Sequence, residues 1–207
     1  MSNDDAYAGG LLTRALDPAT QPPEIRAYLA AEIDLLWALA TDGMRVVDLG
    51  CGTGRHLALL RDRLAVGLGV DYQPAYIAEA RARAGGPPLQ FLVSDAAAVP
   101  ADGPFDLAIC MTNSWGTMTD QEGVLAEMRR LAPGTGRRLL SVYADASVPA
   151  RCEWYRRMGD VVTAVRDASV ETASGFRSEH FTEARLRALV GPCVIHPLAG
   201  IAYAVTF

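Results

Sequence analysis

The chain has 207 residues, half of them apolar and about a fifth charged, with a formal net charge of −5. This is the composition of a single globular domain, 1–207, with a sizeable core. The basic residues, all arginine, are scattered, which argues against nucleic acid as a partner, and no apolar run approaches the roughly 18 residues of a membrane span.

Strand and helix signals alternate along most of the chain, which predicts an α/β fold with helices on both faces of a parallel sheet. The segment 1–22, which holds Tyr7 and Arg14, reads equally as a flap or a loose tail. Pro22-Pro23 opens a helix to near Thr41, with Ile25, Leu29, Leu36 and Leu39 on one face. Strands follow at 46–49, 66–70, 89–94, 105–111 and 138–143, with a helix from Pro74 to Gly85-Gly86. A capping box at Thr119-x-x-Glu122 predicts a further helix that Pro133-Gly134 stops. Then the alternation breaks. Residues 147–181 read as a helix through Trp154 and Tyr155, ended by Gly159, and two short strands at 161–167 and 169–177. Thr182 begins a last helix carrying Leu186 and Leu189, closed by Gly191-Pro192, and strands near 193–198 and 201–207 end the chain. Met1 to Asp5 has neither a basic n-region nor an apolar h-region, which predicts a cytoplasmic protein. Cys51, Cys110, Cys152 and Cys193 lie far apart without C-x-x-C spacing, which predicts free thiols and no metal site.

The most informative stretch is Val46-Val47-Asp48-Leu49-Gly50-Cys51-Gly52-Thr53-Gly54-Arg55-His56, with Asp71 at the end of the next strand. An apolar strand ends in a glycine-rich turn that opens a helix, and an acid follows about twenty residues on, as in nucleotide pockets. A dinucleotide fingerprint would need a third glycine at position 55, which is Arg55 here, so a nicotinamide dehydrogenase is disfavoured. D-x-G-C-G-T-G instead resembles the first motif of the class I S-adenosylmethionine-dependent methyltransferases. The resemblance covers 24–143 and 182–207, and 147–181 then stands as an inserted cap over the substrate. It implies a Rossmann-like doubly wound seven-stranded sheet with an antiparallel last strand, plus a helix-hairpin cap after the fifth strand.

The cofactor implied by the resemblance is S-adenosylmethionine, with S-adenosylhomocysteine as product. Asp48 and Gly50 would lie near its methionine amino end, with Cys51, Gly52 and Gly54 in the same loop. Asp71 would hold the ribose and the Tyr72 ring would pack along the adenosine. By the same resemblance Asp95 accepts from the adenine amino group and Ala96 supplies a backbone amide. Met111 and Asn113 would floor the place where cofactor and acceptor meet.

Displacement at an activated carbon needs mainly alignment and exclusion of water, and a base only where the nucleophile must shed a proton. The fourth strand does not end in the N/D-P-P-Y/F motif of adenine and glutamine amino-group methylases. A lysine-free chain cannot build the lysine-centred tetrad of the 2′-O-ribose methylases, and Cys110 follows Ile109 rather than proline. The reading that results is methyl transfer to N or O of a small metabolite, by a monomer or homodimer. The alternatives are a protein or RNA methyltransferase and a non-catalytic module that binds the cofactor or its product. His180 is the base candidate because histidine titrates near neutrality, and Tyr143 is the second catalytic candidate. Trp115 and Tyr143 suit an aromatic or cationic acceptor and Arg151 or Arg177 an anionic one, with Tyr155 and Glu179 as further candidates in the substrate cavity.

Overall fold

The computed structural model describes residues 3–207, with the side chain at position 4 left aside. Two short helices, α1 (Asn3–Ala8) and α2 (Leu11–Leu16), precede the long α3 (Pro23–Leu39). The αβ alternation then runs β1 (Met44–Leu49), α4 (Arg55–Leu60), β2 (Leu64–Asp71), α5 (Pro74–Ala84), β3 (Leu89–Val93), β4 (Leu107–Cys110), α6 (Gln121–Leu131) and β5 (Arg137–Tyr143). After α7 (Val148–Arg157) come β6 (Val162–Arg166), β7 (Ser169–Thr172) and β8 (Arg177–Glu179), then α8 (Glu183–Val190), β9 (Val194–Leu198) and β10 (Ala202–Thr206).

Among the described residues the main sheet has seven strands in the order β3-β2-β1-β4-β5-β10-β9. Strands β1 to β5 pair in parallel, and β10 runs antiparallel between β5 and β9. The period-2 alternation sorts side chains to two faces. Val46, Ile109 and Leu139 join a core with α3, α4 and α5, whereas Val47, Cys110 and Leu140 join the core under α6 and α8. Chain order reverses between β1 and β4. Loops leaving their carboxyl ends diverge there and open a crevice, and both sequence segments of greatest interest, 48–56 and 111–117, lie at its mouth.

Several local expectations need correction. Helix α3 ends at Leu39 rather than Thr41, with Ala40 as its cap. Helix α6 is capped by Asp120, whose carboxylate accepts from Gly123 N at 2.8 Å, and Thr119 stays outside it. An Asp one residue later offers the same acceptor on a short arm, so it displaces the threonine. Leu189 of α8 is exposed, and only Leu186 and Val190 face the core. The inserted segment is a helix with a three-stranded antiparallel meander, β6-β7-β8, rather than a helix and hairpin. The expected second strand, 169–177, breaks because Thr172 N bonds Phe176 O and Gly175 takes φ 85, which turns the chain back. Phe181 N then donates to Tyr143 O at 2.8 Å and ties the insert to the end of β5. None of the described helices is long and apolar enough to cross a membrane.

Candidate active site

Strand β1 delivers the glycine loop against β2: Gly50 N and Cys51 N both donate to Val70 O, at 2.8 and 3.0 Å. Gly50 has φ 77, and a Cβ there would stand 2.8 Å from Met118 Cε. Gly52 has φ 53, and a Cβ would meet Leu12 Cδ2 at 2.6 Å. Side chains are thus excluded at both points on conformational and steric grounds, and the bare backbone faces the crevice. Gly54 serves differently, letting Phe91 pack 2.6 Å from where its Cβ would be.

Asp71 closes β2. Its Oδ2 accepts from Gly52 N and its Oδ1 from Gln73 N, both at 2.9 Å. Burial raises its pKa, and the two backbone donors only partly oppose that. Each oxygen keeps a lone pair for a ligand hydroxyl. Cys51 is no nucleophile, because burial and then the Asp48 and Asp71 charges push its thiol well up.

Asp48 sits at the last turn of β1, fully buried, and neither carboxylate oxygen has a hydrogen-bond partner among the described residues. His56 Nδ1 stands 3.6 Å from Oδ2, near enough for charge attraction but long for a hydrogen bond. Buried polar atoms without partners are costly. A cationic ligand group beside the loop would supply what Asp48 lacks.

Next to it lies a buried network that sequence reading missed. Glu32 of α3 is fully buried. Its Oε1 accepts from Thr112 N at 2.5 Å, Tyr28 OH at 3.1 Å and the Ser141 hydroxyl. Its Oε2 accepts from Thr112 Oγ1 at 2.7 Å and Arg55 Nη2 at 3.2 Å, with His56 Nε2 at 3.3 Å. Thr112 and the next residue, Asn113, both adopt the left-handed region at φ 54 and 58. Strain of this kind persists only where the surroundings over-determine it. Glu32 pins the first residue; Asn113 is pinned through its side chain, which donates to Ser178 Oγ and Glu179 O and accepts from Tyr143 N. Burial, the largest influence on Glu32, pushes its pKa up, but the His56 hydrogen bond, the His56 and Arg55 charges and the Ser141 hydrogen bond override it and hold it at about 2. For His56 burial acts downward, yet Asp48 and Glu32 raise it overall. The sequence did carry a signal: Glu32 shares the helix face of Ile25, Leu29 and Leu36, where a charge has to be paired.

A cavity of about 830 Å³ opens over the loop, within the usual range for small-molecule sites. Of the residues expected around the cofactor, Gly50, Cys51, Gly52, Asp71, Tyr72, Asp95 and Met111 line it. Asp95 stands in a turn, its Oδ1 taking Ala97 N at 2.9 Å, while Ala96 is buried in the core behind it. Asp48, Gly54 and Asn113 lie behind the lining.

The second wall comes from both ends of the fold. Asn3 donates to Thr117 O and Arg177 O, Tyr7 OH reaches Thr117 Oγ1 at 3.1 Å, and Tyr76 OH donates to Tyr7 O at 2.7 Å. Segment 3–16 is thereby strapped across the glycine loop, and the described part of the 1–22 stretch is a covering element. Arg177 and Glu179 of β8 continue this wall, joined at 2.8 Å.

The remaining predicted residues are not brought to the cavity. Trp115 stacks on Phe181 at 5.1 Å and donates to Gln121 O. Arg151 is fully buried beneath the insert, bonding Ser178 O and Tyr155 OH and lying 4.6 Å from the centre of the Tyr143 ring. Tyr143 and Tyr155 belong to the core cluster. His180 is buried with Nδ1 3.3 Å from Arg151 Nη1, and burial followed by the Arg151 charge lowers its pKa. Their common position beneath β8 reflects the third strand of the insert, which the sequence pattern did not disclose. Among the described residues no group of three His, Cys, Asp or Glu side chains could hold a metal ion.

Comparison with known proteins agrees with this geometry. Residues 46–136 match a family described as a methyltransferase domain. A demethylmenaquinone methyltransferase of Thermus thermophilus is 38% identical over 123 residues, 53% of this chain and 56% of the relative. The chain spans about half the length of the curated relatives it matches. Among solved structures, a protein from Pyrococcus horikoshii OT3 has a TM-score of 0.72 at 19% identity, covering 94% of this chain and 96% of that one. Magnesium protoporphyrin IX methyltransferase from Synechocystis PCC 6803, with S-adenosylhomocysteine bound, gives 0.66 at 16% identity, covering 99% and 96%. A methyltransferase domain thus lies over the glycine loop, within a seven-stranded sheet closed by an antiparallel strand, the fold shared with these solved structures.

Proposed function

We propose that the protein transfers a methyl group from S-adenosylmethionine to a small-molecule acceptor. The observation that carries this reading is Asp48: a fully buried carboxylate with no hydrogen-bond partner among the described residues, set under a glycine loop whose bare backbone faces the cavity. The amino group of the cofactor's methionyl end would give Asp48 its missing charge. Asp71 would accept from the ribose hydroxyls through its remaining lone pairs, and Asp95 and Tyr72 stand where the adenine would be held. When bound, the cofactor supplies a methyl carbon activated by the positive sulfur, which keeps the bonding pair as the acceptor's lone pair takes the methyl. The chain's part is alignment and exclusion of water: the 3–16 strap, the Thr112–Asn113 turn and β8 enclose the space. His180 and Tyr143 are not among the residues that line the cavity, so neither is placed to take a proton from the acceptor.

The small-molecule class rests on the size of the cavity, about 830 Å³, and on relatives named as demethylmenaquinone methyltransferases. The test uses methyl-labelled cofactor with the purified protein and a cell extract, separated into dialysable, solvent-extractable and macromolecular fractions. Label in either of the first two supports the reading. Label held by protein or RNA overturns the acceptor class, and bound cofactor with no transfer leaves a binding module.

A further inference from the structure

Arg55 is the first residue of α4, directly after the glycine loop, and lines the cavity with its side chain 24% exposed. One nitrogen, Nη2, makes all its described hydrogen bonds, to Glu32 Oε2 at 3.2 Å, Thr112 Oγ1 at 3.0 Å and His56 Nε2 at 2.9 Å. Nε and Nη1 have no partner among the described residues, so three of the five guanidinium N–H donors are unclaimed. Seven residues earlier, on the other side of the loop, stands the unpartnered Asp48 carboxylate. The loop is thus flanked by a buried carboxylate without a hydrogen-bond partner among the described residues and by free guanidinium donors. A zwitterionic amino-acid group needs that pairing, and a free guanidinium N–H makes a charge-assisted hydrogen bond to its carboxylate.

We infer that Arg55 binds the α-carboxylate of the cofactor's methionyl end, and that Glu32 is the positioning residue that aims it. The inference rests on the S-adenosylmethionine reading and extends it to a helix outside the matched family segment. Glu32 suits the role because it cannot move. Tyr28, Ser141 and both donors of Thr112 fix its two oxygens, and Nη2 is fixed with them. The charged groups that face this cluster are Asp48 from β1, Glu32 from α3, and Arg55 and His56 from α4, two of each sign when His56 is protonated. The Arg55–His56 contact requires a lone pair on Nε2, whereas protonated His56 would turn that nitrogen to Glu32. Arg55 is therefore held by Glu32 in either state.

Calorimetric titration of the full chain with two ligands tests this: S-adenosylhomocysteine, and 5′-methylthioadenosine, which lacks the amino-acid end. Arg55→Gln is expected to weaken S-adenosylhomocysteine roughly 10–100-fold, the range for a charge-assisted hydrogen bond, and methylthioadenosine less than about twofold. Glu32→Gln should show the same selectivity at smaller amplitude, and Arg55→Lys should recover part of the loss. Should Glu32→Gln fail to fold, the Arg55 pair decides alone. Equal losses for both ligands, or none for S-adenosylhomocysteine, overturn the inference while the cofactor reading stands. A wild-type protein that binds neither ligand overturns both.

Discussion

On one side of the cavity the wall is a continuous run of chain, from the end of β1 through Asp71 and Asp95 to the start of α6; on the other it is α1–α2 and β8, brought together from distant parts of the chain. The first wall is made of backbone amides, strand-end carboxylates and a buried charge network fixed by burial on all sides. The second is held by single hydrogen bonds among half-buried side chains, such as Asn3, Tyr7 and Thr117, and by the Arg177–Glu179 pair at the rim. A ligand common to many reactions can be read by the chain's fixed parts. The variable partner is met by segments that cost little to reshape, since loops and termini tolerate change.

The difference should show most where the rigid wall is broken. Glu32→Ala leaves Arg55 and His56 beside an empty carboxylate site and frees a strained turn, and is expected to cost about 3 kcal/mol of stability. That is the lower end for breaking a buried pair, because Arg55 keeps some solvent; urea unfolding measures it, and a loss below about 1 kcal/mol would make the network decorative. The same cluster sets a pH window. Glu32, held at about 2, contributes fully above its ordinary 4.5 and is lost as pH falls toward 2. His56, raised in the fold, contributes fully below its ordinary 6.5 and is lost as pH rises through the raised value. Stability from this network should therefore peak between about 4.5 and 6.5, and Glu32→Gln should abolish the acid limb and shrink the alkaline one, where Asp48 still raises His56.

Asp71→Ala comes next. Loss of a ribose acceptor and of the Gly52 N partner is expected to weaken S-adenosylhomocysteine roughly 10–100-fold with a much smaller change in melting temperature. Unchanged affinity would remove Asp71 from the site. His180→Ala tests the boundary between the walls. A general base would cost about 10²–10⁴-fold in kcat, while its buried place beside Arg151 predicts a change within about threefold at saturating acceptor. A collapse in kcat would mean that β8 opens and that the cavity described above is only one of its states.

The rigid wall was also the legible one, and for a physical reason. Gly50, Gly52 and Asp71 are fixed by what a strand end and a tight turn permit, so spacing points to them, and the family resemblance adds Asp95. The order of alternation gave the parallel strands, and Pro and Gly gave most helix ends. What spacing could not give was contact between distant segments. Asn113 looked like a cofactor residue from its position after β4, but its amide is consumed in holding Ser178, Glu179 and Tyr143 together. Trp115 and Arg151 looked like acceptor ligands, and stacking under the insert claims both. Glu32 lies on the apolar face of α3 with Ile25, Leu29 and Leu36, and an apolar periodicity alone does not mark a charged residue as buried.

The smallest effect probes the soft wall. Tyr7 touches Tyr72, Tyr76 and Phe176 edge-on, with ring centres 5.7 to 6.4 Å away, and its hydroxyl reaches Thr117. Tyr7→Phe keeps the ring contacts and removes one hydrogen bond, worth about 1 kcal/mol. If the strap covers the acceptor, KM for the acceptor should rise about fivefold, while S-adenosylhomocysteine affinity stays within about twofold. Equal changes in both would mean that the strap grips the cofactor as firmly as the glycine loop does, and that the two walls share one role. The Tyr76–Tyr7 backbone hydrogen bond survives this substitution, so the strap keeps its anchor and the measurement isolates the Thr117 contact at the acceptor end.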